Sequence, residues 1–317
     1  MIIHKAPEFQ PVLEVRDLSV SFEQYDARGL QKITLRPVTG LSLTVRSGEV
    51  LAVVGGSGAG KSLLAHAILG ILPGNARVTG TMRYADDDLT PERQVALRGR
   101  DIALVPQSVS FLSPLWRVGG QVRSAAPDGN APAAQRAVFA RYRLAPEVER
   151  LYPFQLSGGM ARRVLVSTAT ISGAALIIAD EPTPGLDPAA VAEALGHLRE
   201  LAGEGRAVML ITHDIEGALT VADRVAVLYA GATVEIAAAA DFAGDGRALR
   251  HPYSSALWRA LPQNGFVVTP GAQPTPDQLP PGCLYAPRCS GSTPDCTAAR
   301  PEFRALRGGM VRCFHAA

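Results

Sequence analysis

The most restrictive feature of this sequence is a glycine-rich stretch at residues 55–62, GGSGAGKS. It follows the apolar run 50–54, which is typical of a strand buried on both faces of a parallel sheet. A helical pattern begins at Lys61 and ends before Pro73. A strand, a G-x-x-x-x-G-K-S loop and a helix in this order predict a phosphate-binding loop, although a glycine-rich turn that binds nothing is the alternative.

Each residue type in this stretch has a physical role. Glycines allow backbone N–H groups to surround phosphate oxygens, and the N-terminus of the helix adds positive partial charge. Lys61 is expected to reach the β- and γ-phosphates, and the Ser62 hydroxyl to bind Mg²⁺. The predicted ATP-binding residues of the loop are Gly55, Gly56, Ser57, Gly58, Ala59, Gly60, Lys61 and Ser62.

Two adjacent carboxylates follow a second apolar strand, at residues 176–179. Ligands of open α/β sheets bind at the carboxyl ends of the strands, where Asp180 and Glu181 would lie. We expect Asp180 to hold Mg²⁺ and Glu181 to accept a hydrogen bond from the attacking water. The alternative, in which one acid only caps a helix, fits a lone acidic residue better than an adjacent pair.

A second candidate anion site is the segment LSGGM, in which Ser157, Gly158 and Gly159 precede a helical pattern that continues to about Ile171. An ordinary helix cap is the alternative. Because the chain already has one phosphate loop, we interpret this motif as a contact to a nucleotide held by another subunit.

The order of the elements predicts an α/β fold. Buried-strand patterns at 102–105, 176–179, 208–211 and 225–229 alternate in part with helical ones, which indicates a mostly parallel sheet. Strand patterns at 12–22 and 41–45 precede it. We predict an ATPase domain over residues 10–240 with a helical subdomain at about 108–158. Residues 241–317 are predicted to form an extension with little regular structure.

Composition excludes several classes of protein. The chain has 317 residues and a formal net charge of +2, so bulk electrostatics give no reason to expect nucleic-acid binding. Its apolar runs are shorter than the ~20 residues of a membrane-spanning helix, and the N-terminus has no signal-peptide core. We expect neither a membrane channel nor a secreted protein.

Taken together, the motifs over about residues 12 to 235 resemble those of the ATP-binding cassette (ABC) ATPases. The matching segments are the phosphate loop, Gln107, LSGGM, LIIADEP, residues 185–187 and residues 211–214. The resemblance implies an ABC-type P-loop ATPase with a RecA-like core, an N-terminal antiparallel β subdomain, a helical subdomain and an extension that contains cysteines.

The same resemblance implies residue roles. Gln107 would sense Mg²⁺ and the attacking water and couple to membrane subunits, and His213 would contact the γ-phosphate. Ser157, Gly158, Gly159 and Asp187 would act across a dimer interface on the partner's ATP. An aromatic residue would stack on adenine, with Phe22 first by position and Tyr25 as the alternative; both could equally be packing residues.

The tail narrows the resemblance. Residues 251–262, HPYSSALWRALP, are similar to a segment of the oligopeptide/dipeptide/nickel importer ATPases. This implies a peripheral ATPase on the cytoplasmic face of the bacterial inner membrane. Its implied partners are two membrane-spanning permease subunits, a second, paralogous ATPase and an extracytoplasmic solute-binding protein. Peptides are the first candidate solute, with nickel, metal chelates and haem open.

Two other classes are less compatible with the sequence. A soluble ABC ATPase of DNA repair or translation would carry a coiled-coil insertion or a second cassette, and exporters often fuse membrane helices to the cassette.

Two motifs depart from the pattern that is usual in the family. Ala161-Arg162 continues the LSGGM helix, and residues 183–187 have the sequence TPGLD.

The four cysteines are confined to the tail: Cys283, Cys289, Cys296 and Cys313. A [4Fe–4S] cluster is the leading hypothesis, since four thiolates on a looped chain suit one and related ATPases carry one there. Zinc sites usually have closer cysteine pairs. The third hypothesis is that the four cysteines are reduced thiols that bind no metal.

Overall fold

The computed structural model describes residues 10–25, 29, 31–127 and 129–317. The strands in this part of the chain are β1 (Pro11–Tyr25), β2 (Lys32–Arg46), β3 (Val50–Gly55), β4 (Ala76–Tyr84), β5 (Asp87–Asp88), β6 (Ile102–Val105), β7 (Leu176–Asp180), β8 (Ala207–Ile211), β9 (Arg224–Tyr229), β10 (Ala232–Ala238), β11 (Arg304–Leu306) and β12 (Gly309–Val311). The helices are α1 (Lys61–Leu69), α2 (Pro91–Leu97), α3 (Val118–Ser124), α4 (Ala131–Arg141), α5 (Gly158–Ile171), α6 (Pro188–Gly203), α7 (Ile215–Leu219), α8 (Pro252–Arg259) and α9 (Pro294–Ala298).

The larger sheet formed by the described residues has the strand order β11-β12-β10-β9-β3-β8-β7-β6. Strands β9, β3, β8, β7 and β6 are parallel neighbours, while β10, β12 and β11 add an antiparallel edge. The predicted α/β fold is confirmed.

The position of strand β3 between two hydrophobic cores explains why its sequence is apolar at every residue instead of alternating. Val50, Ala52 and Val54 belong to the core that the helices cover, whereas Leu51 and Val53 belong to the core shared with the N-terminal sheet. Both faces are therefore buried, and an apolar side chain is favoured at every position. This burial fixes the end of β3, and hence the start of the phosphate loop.

The N-terminal sheet is antiparallel, with the order β2-β1-β4-β5. It confirms the N-terminal β subdomain, but β2 is much longer than the predicted strand at 41–45. Pro37 and Gly40 interrupt the alternation of residues 32–40 and hide the first half of the strand. Pairing with β1 along its length, from Tyr25↔Lys32 to Pro11↔Arg46, keeps this half extended.

Among the residues described between 108 and 158, the regular elements are helical. Helices α3 and α4 pack on α5, with 3₁₀ turns between them. The limits given above for the ATPase domain, the helical subdomain and the extension stay predictions.

No helix in the described residues combines the length and the hydropathy that crossing a bilayer requires.

The extension is more ordered than predicted. Helix α8 packs on β10, and β12 pairs with β10 through Glu235↔Val311, so the tail continues the larger sheet. Strands β11 and β12 have three residues each, which is too short for a period-2 pattern to be recognised.

Candidate nucleotide site

The phosphate loop connects β3 to α1 in a conformation that needs its glycines. A Cβ on Gly55 would overlap the Leu228 carbonyl oxygen of the neighbouring strand β9. Gly60 caps α1 at φ 90°, a conformation that costs other residues free energy. The loop therefore delivers its backbone to the N-terminus of α1, as phosphate binding requires.

Lys61 is 9% exposed and folds back onto the loop. Its Nζ donates to the Gly55 carbonyl at 2.9 Å and to the Gly56 carbonyl at 3.3 Å. Burial lowers the pKa of Lys61, whereas the negative charges of Glu181 and Asp180 act in the opposite direction and raise it. A bound polyphosphate would supply the negative charge that compensates this desolvation.

Asp180 ends β7 behind the loop and fits the expected magnesium site. Burial is the main cause that raises its pKa, while the Ser62 hydroxyl, bonded to the carboxyl, opposes this shift. The Oδ1 atom is buried and has no hydrogen-bond partner in the described part of the chain. A buried oxygen without a donor, beside a serine hydroxyl, suits a hard cation such as Mg²⁺.

Glu181 and His213 lie in direct contact at the end of β7. His213 Nδ1 lies 2.8 Å from Glu181 Oε2, and the Glu181 backbone N–H donates to the Ile211 carbonyl at 2.8 Å. Glu181 has φ 47°, a strained conformation for a residue with a side chain. The strand end thus holds its carboxylate towards the loop.

Lys61, Glu181 and His213 line one cavity of about 640 Å³, whereas Asp180 is not among the residues that line it. It is lined by Pro37, Ser57, Gly58, Ala59, Gly60, Lys61, Ser62, Leu63, Gln107, Glu181, His213 and Pro276. No sequence motif predicted Pro37, Leu63 or Pro276 as site residues. Pro276 belongs to the C-terminal extension, which therefore borders the nucleotide cavity.

The LSGGM residues lie elsewhere. Ser157 caps α5 by accepting from the Met160 N–H at 3.2 Å, and Asp187 caps α6. Ser157, Gly158 and Asp187 are exposed, and Gly159 lies at a separate small cavity between α5 and α6. None of them lines the cavity of the phosphate loop.

The two aromatic candidates also lie outside this lining. Phe22 is partly buried against the core of the N-terminal sheet, and Tyr25 is 60% exposed at the end of β1. Adenine stacking by either residue stays a prediction.

The structure does not support a metal centre in the tail. The described residues contain no group of three or more His, Cys, Asp or Glu side chains arranged to hold a metal ion. Cys296 and Cys313 are buried, and burial raises the pKa of Cys283 and of Cys289, with a further contribution from the neighbouring cysteines. The described residues therefore support neither the [4Fe–4S] hypothesis nor the zinc hypothesis.

Comparison with known proteins agrees with the geometry. The ABC transporter family matches residues 38–184, and the oligopeptide/dipeptide transporter C-terminal region matches residues 234–296. The fold is similar to a dimeric ATP-binding cassette in a post-hydrolysis state bound to ADP and Pi, with a TM-score of 0.63, 22% identity and coverage of 72% of this chain and 98% of that one.

Relatives align over nearly the whole chain. The oligopeptide transport ATP-binding protein OppD of Salmonella typhimurium is 34% identical, over 96% of this chain and 93% of its own. The dipeptide transport ATP-binding protein DppD of Escherichia coli is 35% identical, over 96% of each. The chain therefore belongs to the ABC transporter ATPases, as an ATP-hydrolysing subunit that uses ATP and Mg²⁺, in the group with the oligopeptide/dipeptide transporter C-terminal region.

Proposed function

We propose that this chain is the energy-coupling subunit of a bacterial importer for peptides or similar small solutes, bound to the cytoplasmic face of the cell membrane. The relatives named as oligopeptide and dipeptide transport proteins support peptides as the first solute class. Nickel, metal chelates and haem stay open as other solutes.

One observation carries the proposal that two such ATPases act together. The nucleotide cavity contains the phosphate loop, Gln107, Glu181 and His213, but not Ser157 or the other LSGGM residues. A second ATPase would complete the site by presenting its own LSGGM helix to ATP, and this chain would do the same in return. ATP would then hold the two chains together.

The described geometry supports a division of roles in hydrolysis. Lys61 would leave its carbonyl partners and bind the β- and γ-phosphates. Glu181 would accept a hydrogen bond from the attacking water, and His213, held beside it, would contact the γ-phosphate. Ser62, Gln107 and Asp180 would hold Mg²⁺, which supplies neutralisation of phosphate charge when it is bound.

Coupling to a membrane partner is supported by the surface that follows Gln107. Three apolar side chains, Phe111, Leu115 and Trp116, are 59%, 84% and 58% exposed there. Contiguous exposed apolar patches mark contact sites, and these three side chains lie within six residues of one another in the sequence. Arg162 of α5 donates to the Pro106 carbonyl at 3.1 Å, which links the LSGGM helix to this surface. We propose that one of the two membrane-spanning subunits docks here.

The second ATPase is proposed to be a paralogue. The Ala161-Arg162 continuation of α5 and the TPGLD sequence at 183–187 depart from the usual motifs, so the two nucleotide sites of the pair would differ. An extracytoplasmic binding protein would deliver the solute to the assembly.

The test is purification of the tagged full-length chain from its native membrane. We expect two membrane-spanning subunits and a second ATPase to copurify, and the ATPase rate of the reconstituted complex to rise with peptide-loaded binding protein. A chain that purifies without membrane subunits and hydrolyses ATP independently of them would favour a soluble ABC ATPase. Full transport by a complex that contains this ATPase alone would contradict the proposal that the second ATPase is a paralogue.

A further inference from the structure

The C-terminal extension reaches the phosphate loop at two points. Tyr253 of α8 is 7% exposed, and its hydroxyl lies beside the Gly56 backbone. A Cβ on Gly56 would lie 3.8 Å from both the Tyr253 hydroxyl and Gln273 Oε1, and one on Gly58 would lie 3.9 Å from Gln273 Nε2. The first half of the loop therefore lies between a tyrosine and a glutamine of the tail.

Tyr253 is held in place by a buried polar chain. The Glu235 carboxylate of β10 has no exposed surface and accepts from the backbone N–H groups of Arg250 at 2.8 Å and His251 at 2.9 Å. His251 Nδ1 in turn accepts from the Tyr253 N–H at 3.0 Å. Each step fixes the start of α8 relative to the sheet, so Tyr253 has little freedom to move away from Gly56.

The Tyr253 ring and hydroxyl are equally constrained. The ring packs against Tyr229, with 4.5 Å between centroids, and Tyr285, with 5.4 Å. Burial is the main cause that raises the pKa of Tyr253 to about 12. Like an ordinary tyrosine, it is therefore neutral at physiological pH and places no negative charge beside bound phosphates.

Gln273 belongs to residues 266–279, a segment that we call the strap. Arg288 donates to the Thr269 and Pro270 carbonyls at 3.0 Å each, and the Arg36 N–H of β2 donates to the Pro276 carbonyl at 2.9 Å. The strap is thus fixed on both sides of Gln273, which keeps that side chain over the loop.

We propose that Tyr253 and Gln273 are positioning residues of the ATP site, which hold residues 56–58 of the phosphate loop in the conformation that receives phosphate. Glycine backbones are free to adopt many conformations, and ordering them on binding lowers affinity. Contacts that order the loop in advance remove part of this cost. The proposal rests on the phosphate-loop assignment and is independent of the transported solute.

The test compares Tyr253→Phe with a matched control in the full-length chain. Tyr253→Phe removes only the hydroxyl that faces Gly56. Tyr142→Phe removes another buried hydroxyl, bonded to the Thr170 hydroxyl at 2.7 Å far from the loop. We expect the ATP and ADP dissociation constants and the KM for ATP to rise about 3- to 10-fold in Tyr253→Phe, the effect of one hydrogen bond, with kcat nearly unchanged. Both variants should lower Tm to a similar extent, because each loses a buried hydroxyl, but Tyr142→Phe should leave KM unchanged.

Gln273→Ala provides a second test, because Gln273 is only partly buried on an irregular segment and its loss should not prevent folding. We expect the same increase in KM at constant kcat. Wild-type nucleotide affinity in both variants would overturn the proposal, as would an affinity loss in Tyr142→Phe equal to that in Tyr253→Phe. If Lys61→Ala still bound ATP normally, the phosphate-loop assignment itself would fail; if only Tyr253 and Gln273 proved neutral, that assignment would stand.

Discussion

Lys61 is one of three lysines in the chain, and in the described structure its Nζ is bonded to carbonyls of the loop that it serves. Lys61→Ala removes the side chain that would reach the β- and γ-phosphates. We expect ATP affinity to fall by at least about 100-fold, since a charge-assisted contact in a buried site is lost. Titration with a fluorescent ATP analogue measures this change. Lys32→Ala, at an exposed lysine, is the control and should bind as the wild type does.

Glu181 separates binding from turnover. Glu181→Gln keeps the size of the side chain and leaves Asp180 and Ser62 in place, but removes the charge that would polarise the attacking water. We expect near-normal ATP affinity, turnover reduced on the order of 10²- to 10⁴-fold, and a longer-lived closed ATPase pair. Phosphate release and size-exclusion chromatography with ATP test these expectations.

The exposed carboxylate of Glu216, in the first turn of α7, offers a control for that experiment. Glu216→Gln changes charge to the same extent and should hydrolyse ATP at the wild-type rate. Turnover close to wild type in Glu181→Gln would instead show that another group activates the water.

The residues of the cavity and those that lie beside the phosphate loop differ in how far the sequence could predict them. Lys61, Ser62 and Glu181 occur in short motifs whose spacing indicates their chemistry. Tyr253 and Gln273 act on Gly56 from about 200 residues away in sequence, and no local pattern encodes that contact. Such residues become visible only when the sheet order is known.

The start of α8 links the extension to the sheet and contains a buried histidine. His251 is 1% exposed, and burial lowers its pKa from 6.5 to about 3. The unfolded chain binds a proton there below about pH 6.5, whereas the folded chain does not until about pH 3. Between these values the free energy of unfolding therefore falls as pH falls, by up to ~1.4 kcal/mol per pH unit.

His251→Asn should reduce this acid sensitivity while retaining a side chain that can cap α8. From the shift in its pKa, we expect the loss of unfolding free energy between pH 7 and pH 5 to be ~2 kcal/mol smaller in the variant than in the wild type. Urea unfolding at the two pH values measures it. His315→Asn, at an exposed histidine, should leave the difference unchanged. Equal pH dependence in wild type and His251→Asn would contradict a neutral buried imidazole.

Among the secondary-structure elements, the sequence predicted strands such as β3 and β7 correctly. Both strands are buried on both faces, and each is followed by a glycine or an acidic residue. It failed where regularity depends on distant partners. Strand β2 is extended past Pro37 because β1 pairs with it, and β12 exists because β10 offers an edge. The tail cysteines show the same limit, because their spacing suggested a [4Fe–4S] cluster, whereas the described residues contain no group of side chains arranged to hold a metal ion.

For the whole molecule, the separation of the phosphate loop from the LSGGM helix is the feature that matters most. The cavity contains Lys61, Glu181 and His213 but no LSGGM residue, and in the proposed pair of ATPases the other chain would supply that motif. A mechanical link is also present, since α5 is bonded to the segment that ends at Gln107. A change at the partner's nucleotide could thereby be transmitted to the apolar surface beside Gln107.

That surface gives a prediction for the assembled transporter. Leu115 is 84% exposed, so replacement by aspartate leaves the fold intact but places a charge where we propose that a membrane-spanning subunit packs. We expect Leu115→Asp to lose copurifying membrane subunits and solute-stimulated hydrolysis, while ATP affinity of the isolated chain stays unchanged. Val95→Asp, at a 65% exposed valine of α2, introduces the same charge elsewhere. Because Val95 lies outside the proposed docking surface, its variant should assemble normally, and loss of assembly in both variants or in neither would place the docking site elsewhere.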